Sequence, residues 1–310
     1  MIFTNLVNTL LMCSWNYTQF NIEFPDKHVM YHGMVLPLTY NNELINDIVI
    51  NSSLYPIGRY FSIQFYQIDD WTESYYSFND ELLLDNFEHA NYNINLKVNT
   101  SYLVIYRIYL PQESYKHSFQ DLDYWFIWGN NPPDVYINNN LLPICKQNFN
   151  NSLYVETNYT DASCRSLNEF IISDTYKYTL PNYDADYIIA CINTTKSYVK
   201  VEVIVPRQMC SKNMSLNEYD LRYASLNLVT INAPRSTYKT YYLSCNSKYY
   251  NNKQTFTIPL NNVQNPAILY RQVLPNKYFT KSIQHAKIMC DSSTKCLKET
   301  MDNYYPILKI

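Results

Sequence analysis

The chain has 310 residues, a formal net charge of −3, 47% hydrophobic residues and 16% aromatic residues. That length suits two domains, each large enough to bury a core, and the composition excludes a disordered chain. The absence of basic runs argues against nucleic-acid binding, and the lack of about 18 uninterrupted apolar residues excludes an ordinary membrane-spanning helix.

Tyrosine is extreme at 33 and glycine nearly absent at 3. Tyr, Asn and Ile are spelled by AT-rich codons, so the bias points to an AT-rich genome such as that of a large DNA virus or a protist. With so little glycine, turns that need positive φ must use Asn or Asp. Asn138-Asn139-Asn140 and Asn251-Asn252 are the expected examples.

Taken in order, residues 1–24 form an N-terminal segment. Ile2, Phe3, Leu6, Val7, Leu10 and Leu11 recur at helical spacing, and no basic residue precedes them. The spacing predicts a retained amphipathic helix over 1–13, with a weak export signal as the alternative. A first strand follows between Trp15 and Phe24. Short apolar runs at Met34–Tyr40 and Ile45–Ile50 flank an Asn41-Asn42 turn. From Arg59 the chain reads RYFSIQFYQ, in which Phe61, Ile63 and Phe65 alternate with polar residues, the pattern of a half-buried strand. Asp69–Asn79 reads as a polar, aromatic loop. Residues 92–98 alternate again, and 102–110 is apolar on both faces except at Arg107, which predicts a central strand. The short Asn99-Thr100-Ser101 link predicts that these two strands pair as a hairpin. Residues 112–134 form a loop with an aromatic knot of Tyr124, Trp125, Phe126 and Trp128. A hairpin, Val135–Ile137 and Leu141–Cys145, then closes a first domain over 25–148.

The second domain is expected over 149–310. Val199, Val201, Val203 and Val205 mark a strand, and Ser215-Leu-Asn-Glu218 has the form of a capping box opening a helix to about Leu226. Two later stretches repeat earlier ones. Tyr241–Cys245 falls on Arg59–Ile63, and Ile268–Pro275 falls on Val104–Pro111, with YRxxLP common to the second pair. Two matches in the same order predict an internal duplication. Tyr278–Met289 has helical spacing. The expected fold is all-β: two jelly-roll-like β-sandwich domains from this duplication, with a few short helices.

Eight cysteines are present, seven of them from Cys145 onward, with no CxxC pair. The equal spacing of Cys145 to Cys164 and of Cys191 to Cys210 suggests two local disulfide loops, and Cys290 with Cys296 a third. At least two disulfides within 145–296 are expected, and buried free thiols are the alternative. Sequons at Asn16, Asn51, Asn99, Asn150, Asn158, Asn193 and Asn213 permit glycosylation, although the Asn, Ser and Thr content nearly accounts for their number.

RYFSIQFYQ at 59–67, YLVIYRIYLP at 102–111, PPDVYINNNLLPIC at 132–145, YYLSC at 241–245, ILYRQVLPNKYF at 268–279 and NYYP at 303–306 carry a resemblance. Through them the chain resembles a two-part family of uncharacterised, mostly exported β-rich proteins, known from bacteria with relatives in fungi and large DNA viruses. The resemblance implies paired jelly-roll-like sandwiches and brings no established catalytic residues.

Chemistry is sparse. His28 and His32 stand at i, i+4, which on a helix would suit a metal, but the surroundings read as loop or strand and no third ligand is marked. No metal and no cofactor are expected, since three scattered glycines rule out phosphate-cradling loops. Trp71, Trp125 and Trp128 beside Asp70 and Asp123 would make a ligand site if they converged, with indoles stacking on sugar faces and carboxylates serving as acid and base. The alternative is interface core. Arg107 and Arg271, each inside an apolar strand, must find a partner, and a repeated structural salt bridge or a ligand site in each half would satisfy them. These features favour a non-enzymatic structural or interaction protein on a virion surface or outside the cell. It would self-associate or contact other particle-surface proteins, and possible glycan partners stay open. A secreted carbohydrate-binding or carbohydrate-cleaving protein is the alternative.

Overall fold

The computed structural model describes residues 14–15, 29–41, 43–52, 60–67, 70–79, 92–97, 100–109, 133–143, 166–172, 182–208, 217–231, 236–243 and 253–310, the side chains of 30, 52, 70–75, 92, 93 and 97 excepted. The chain divides into two compact units, Met1–Phe20 with Val29–Tyr154 and Asn21–His28 with Val155–Ile310. The readings for 1–13, 16–24, 112–132, 146–152 and Asn251-Asn252 lie outside the described residues.

The first unit contributes β1 (Val29–Leu36), β2 (Thr39–Tyr40), β3 (Glu43–Leu44), β4 (Asp47–Ser52), β5 (Tyr60–Gln67), β6 (Asp70–Asn79), β7 (Tyr92–Lys97), β8 (Tyr102–Tyr109), β9 (Asp134–Ile137) and β10 (Asn140–Leu141). They form antiparallel sheets ordered β1-β8-β5-β6 and β10-β9-β4-β7, with β2-β3 as a small ribbon. Both large sheets send apolar residues into one core: Met34, Phe61, Ile63, Phe65 and Tyr106 from the first, and Ile48, Ile50, Ile94, Val135 and Ile137 from the second. That is a β-sandwich. Trp15 joins this core, its indole Nε1 donating to the Pro133 carbonyl at 2.7 Å.

The second unit contributes β11 (Ile171–Ile172), β12 (Ala185–Cys191), β13 (Tyr198–Ile204), β14 (Leu221–Thr230), β15 (Thr237–Tyr242), β16 (Lys253–Pro259), β17 (Pro266–Pro275) and β18 (Ile307–Lys309), with helices α1 (Ile283–Met289) and α2 (Thr294–Met301). Its sheets run β11-β12-β17-β14-β15 and β16-β13-β18 around a second core. Seven strands of the first unit recur in the same chain order as β12 to β18, with the same neighbours. The order β1-β8-β5-β6 matches β12-β17-β14-β15, and β9-β4-β7 matches β18-β13-β16.

The ladders give the duplication at residue level. Arg107 of β8 stands between Tyr31 and Ser62, and Arg271 of β17 stands between Tyr187 and Ser225. The YRxxLP equivalence therefore holds in register. The match of Tyr241–Cys245 to Arg59–Ile63 does not, because Tyr241 and Tyr242 lie on β15, the counterpart of β6. The counterpart of β5 is β14. Its Tyr223-Ala224-Ser225-Leu226 lies on Tyr60-Phe61-Ser62-Ile63, preceded by Arg222 where the first copy has Arg59.

Other expectations are corrected for related reasons. The helix to Leu226 is instead β14, buried on both faces between β17 and β15. Continuous burial hides the strand period, and tertiary pairing overrides the local capping signal. The loop at Asp69–Asn79 is strand β6, an edge whose Tyr76 and Phe78 turn to the core while its polar residues disguise the alternation. Strands β7 and β8 are not hairpin partners: they belong to different sheets. β8 is buried on both faces between β1 and β5, whereas β7 exposes Asn95. Strand β5 is not half-buried either, since Ser62 and Gln64 are as enclosed as Phe61.

The hairpin of β9 and β10 turns through Asn138 (φ 47°) and Asn139 (φ 68°), the geometry of a type I′ turn built without glycine. Asn41, Asn168, Asn262 and Asn265 also hold positive φ. The Asn138 side chain also ties the turn to the neighbouring link. Its Oδ1 accepts the Asn46 N–H at 3.1 Å and its Nδ2 donates to the Leu44 carbonyl at 3.0 Å. Asn138→Ala should therefore cost about 1–2 kcal/mol in urea denaturation, combining the left-handed penalty with lost hydrogen bonds. Asn139→Gly, which loses no such bonds and relieves the backbone, should be neutral or stabilising.

Candidate functional site

The central strand of each unit carries a polar ladder through an otherwise apolar sheet. Arg107 is 1% exposed, and its Nη1 donates to the Gln64 side-chain oxygen. That oxygen also accepts the Tyr66 hydroxyl at 2.6 Å, and the Gln64 amide donates to Ser77 on β6 at 3.0 Å. The guanidinium lies 5.7 Å from the centroid of the Tyr66 ring. In the second unit Arg271, 2% exposed, lies 5.1 Å from the Tyr187 ring. Asn227 takes the place of Gln64: it donates to Ser225 at 3.2 Å and accepts Thr240 on β15 at 2.6 Å. Gln64 faces Ser77 across the strands as Asn227 faces Thr240. Arg107 thus meets an amide oxygen and a tyrosine ring, and Arg271 meets a tyrosine ring. An aromatic face and an amide oxygen each favour a buried cation.

The other predicted residues do not assemble into a described site. Trp71 and Asp70 are on β6 with side chains outside the description, and Trp125, Trp128 and Asp123 lie outside the described residues. His32 sits on β1, opposite Tyr106 and 6.4 Å from its ring, on the face that meets the core. Burial depresses its pKa to about 3, so it is neutral under ordinary conditions. His28 lies outside the described residues. Among the described residues no three His, Cys, Asp or Glu side chains come together to hold a metal ion.

Cys290 and Cys296 form a disulfide with sulfurs 1.99 Å apart, which joins the end of α1 to the first turn of α2. Cys191 is disulfide-bonded as well. Cys145, Cys164 and Cys210 lie outside the described residues. Of the sequons, Asn51 and Asn193 are described and exposed; Asn16, Asn99, Asn150, Asn158 and Asn213 are not described.

The second unit also holds a groove of about 540 Å³ that the sequence did not suggest. Glu169, Glu202, Lys253, Lys298, Asp302 and Tyr305 line it. Its charges are matched: Lys298 meets Glu169, Lys253 lies 2.6 Å from Glu202, and Lys281 reaches Asp302. Hydrogen bonds from Lys253 and Lys309 hold the Glu202 carboxyl below its usual range. The Tyr305 hydroxyl donates to the Phe170 carbonyl at 2.8 Å, and burial, with Glu169 nearby, raises its pKa. These carboxylates and lysines come from distant parts of the chain and carry no motif, which is why sequence reading passed over them. The arrangement can receive a polar ligand, but its acids and bases are engaged with one another and not poised for proton transfer.

The sequence matches no protein-family model and no curated protein. An uncharacterized protein of Burkholderia cenocepacia shares the fold: 83% of this chain aligns with 75% of that one at 9% identity and a TM-score of 0.51. A variant oxalate decarboxylase of Bacillus subtilis aligns over 92% of this chain and 81% of its own, at 9% identity and a TM-score of 0.20. An oxalate decarboxylase of Lactobacillus farciminis aligns over 94% and 97%, at 13% identity and 0.16. Scores that low carry no argument about fold or chemistry. No helix among the described residues is long and apolar enough to cross a membrane.

Proposed function

We propose that this chain is a non-enzymatic structural or interaction protein, exported or displayed on the particle of a large AT-rich DNA virus, where it assembles with itself or with other surface proteins. The observation that carries this reading is the use of the space between the sheets. In both units that interior is taken up by the chain's own side chains, Phe61, Phe65, Tyr102 and Tyr106 in one and Tyr270, Leu226, Ile283 and Leu297 in the other. A sandwich filled in this way offers its outer surface, not a lumen, for recognition. The oxidised state of Cys191, Cys290 and Cys296 supports an oxidising compartment or particle. The resemblance to a two-part family of mostly exported proteins agrees with that location.

Native mass spectrometry of the chain isolated from particles or from the secreted fraction tests this reading. An assembled species, with Cys191, Cys290 and Cys296 refractory to alkylation after denaturation without reduction, is expected. Recovery only from the cell interior, as a monomer with those thiols free, would overturn it. Retention on immobilised polysaccharide, or its cleavage, would replace it with the carbohydrate-directed alternative.

A further inference from the structure

We infer that Asn193 is an N-linked glycan acceptor, presented by a turn that the fold clamps from below. This inference rests on the export reading above and adds a specific modification site to it. The sequon is Asn193-Thr194-Thr195, in the link between β12 and β13. Asn193 and Thr195 are both exposed, and the exposed run continues through Lys196, Ser197 and Tyr198.

What distinguishes this sequon is how its backbone is held. The Asn193 N–H donates to the Asn168 side-chain oxygen at 2.8 Å, and the Asn168 amide donates back to the Asn193 carbonyl at 3.0 Å. Asn168 is itself fixed, in left-handed conformation (φ 60°), by its N–H bonding to the Cys191 carbonyl at 2.7 Å. Cys191 is in turn disulfide-bonded. Thr194 closes the turn locally, its hydroxyl accepting the Lys196 N–H at 3.1 Å. The two groups that glycan transfer uses, the Asn193 amide and the Thr195 hydroxyl, are left to solvent. A glycan here would project from a turn braced at its base and would disturb no ladder. Asn51, the other described sequon, instead sits mid-sheet on β4, with Asn93 and Asp134 on either side.

The chemistry is a group transfer from a lipid pyrophosphate-linked oligosaccharide. The Asn193 amide nitrogen bonds to the anomeric carbon and gives up one proton, while the carbon–oxygen bond to the pyrophosphate breaks. The lipid pyrophosphate leaves with that electron pair, and no redox partner is required.

The test is peptide mapping of the chain isolated from particles or the secreted fraction, after removal of N-glycans by peptide N-glycosidase in heavy-oxygen water. Asn193 should be recovered as heavy-oxygen-labelled aspartate. Thr195→Ala should abolish the label and the mass of one glycan, while Thr195→Ser should keep both, which separates loss of the sequon from loss of the fold. Unmodified Asn193 in a chain whose Cys191, Cys290 and Cys296 are oxidised would overturn the site while leaving export standing. Unmodified Asn193 together with free thiols would overturn both.

Discussion

Gln64→Leu should destabilise the first sandwich by about 3 kcal/mol, and more than Arg107→Met does, although arginine is the larger and charged residue. The leucine leaves a buried guanidinium without the amide oxygen that accepts from its Nη1. Breaking a buried charge contact from the neutral side removes a hydrogen bond to a charged group and keeps the desolvation cost. Arg107→Met removes the charge itself, and Gln64 keeps its bonds to Tyr66 and Ser77. Removing the guanidinium also removes its desolvation cost, so a smaller loss of about 1 kcal/mol is expected there. The double variant should recover much of the Gln64→Leu loss. A double-mutant cycle by urea denaturation, read on the first unit's transition, measures this. Strictly additive costs would show that Gln64 does not hold the cation.

The arginines were legible in the sequence because each interrupts a strand that is apolar on both faces, and YRxxLP fixed their equivalence. The rest of the duplication was hidden by a competing local signal. Arg59-Tyr60-x-Ser62 and Arg222-Tyr223-x-Ser225 are the same motif, but Ser215 to Glu218 resembles a helix start, and reading a helix through Leu226 removed the second copy from view. Tyr241 and Tyr242, aromatic residues on β15, then offered a false match one strand away. Partner choice between strands was the other limit. A four-residue link between β7 and β8 permits a hairpin and a change of sheet alike, and burial of the second face of β8, which decides between them, depends on strands remote in sequence. The Asn turns were legible for the opposite reason. Positive φ is a property of one residue, and with glycine so scarce asparagine was left to supply it. Among site features, Cys290–Cys296 could be anticipated from spacing. The groove of the second unit could not, since its acids and lysines meet only after β11, β13, β16 and α2 have packed.

Acidification should weaken the first sandwich through one residue. His32 titrates near 6.5 in an unfolded chain and near 3 in the folded one, because burial on the core face beside Tyr106 disfavours the charged imidazole. Above the unfolded value both states hold it neutral and it has no effect on stability with pH. As pH falls below 6.5 the unfolded chain takes up the proton first, so the folded state loses ground, and the loss continues until the folded pKa is reached. Each pH unit in that window is worth up to about 1.4 kcal/mol, so about 2 kcal/mol should be lost by roughly pH 5 from this group alone. Carboxylates also begin to titrate toward the lower end of the window, so the test is a difference. Urea denaturation of the natural chain and of His32→Leu, each at pH 7 and pH 5, should give a natural chain that loses about 2 kcal/mol more than the variant over that interval. Parallel curves would mean that the imidazole is solvated or can share its proton where it lies. A His32 that gained stability on acidification would have found an acid partner, and its place on the core face of β1 would then need revising.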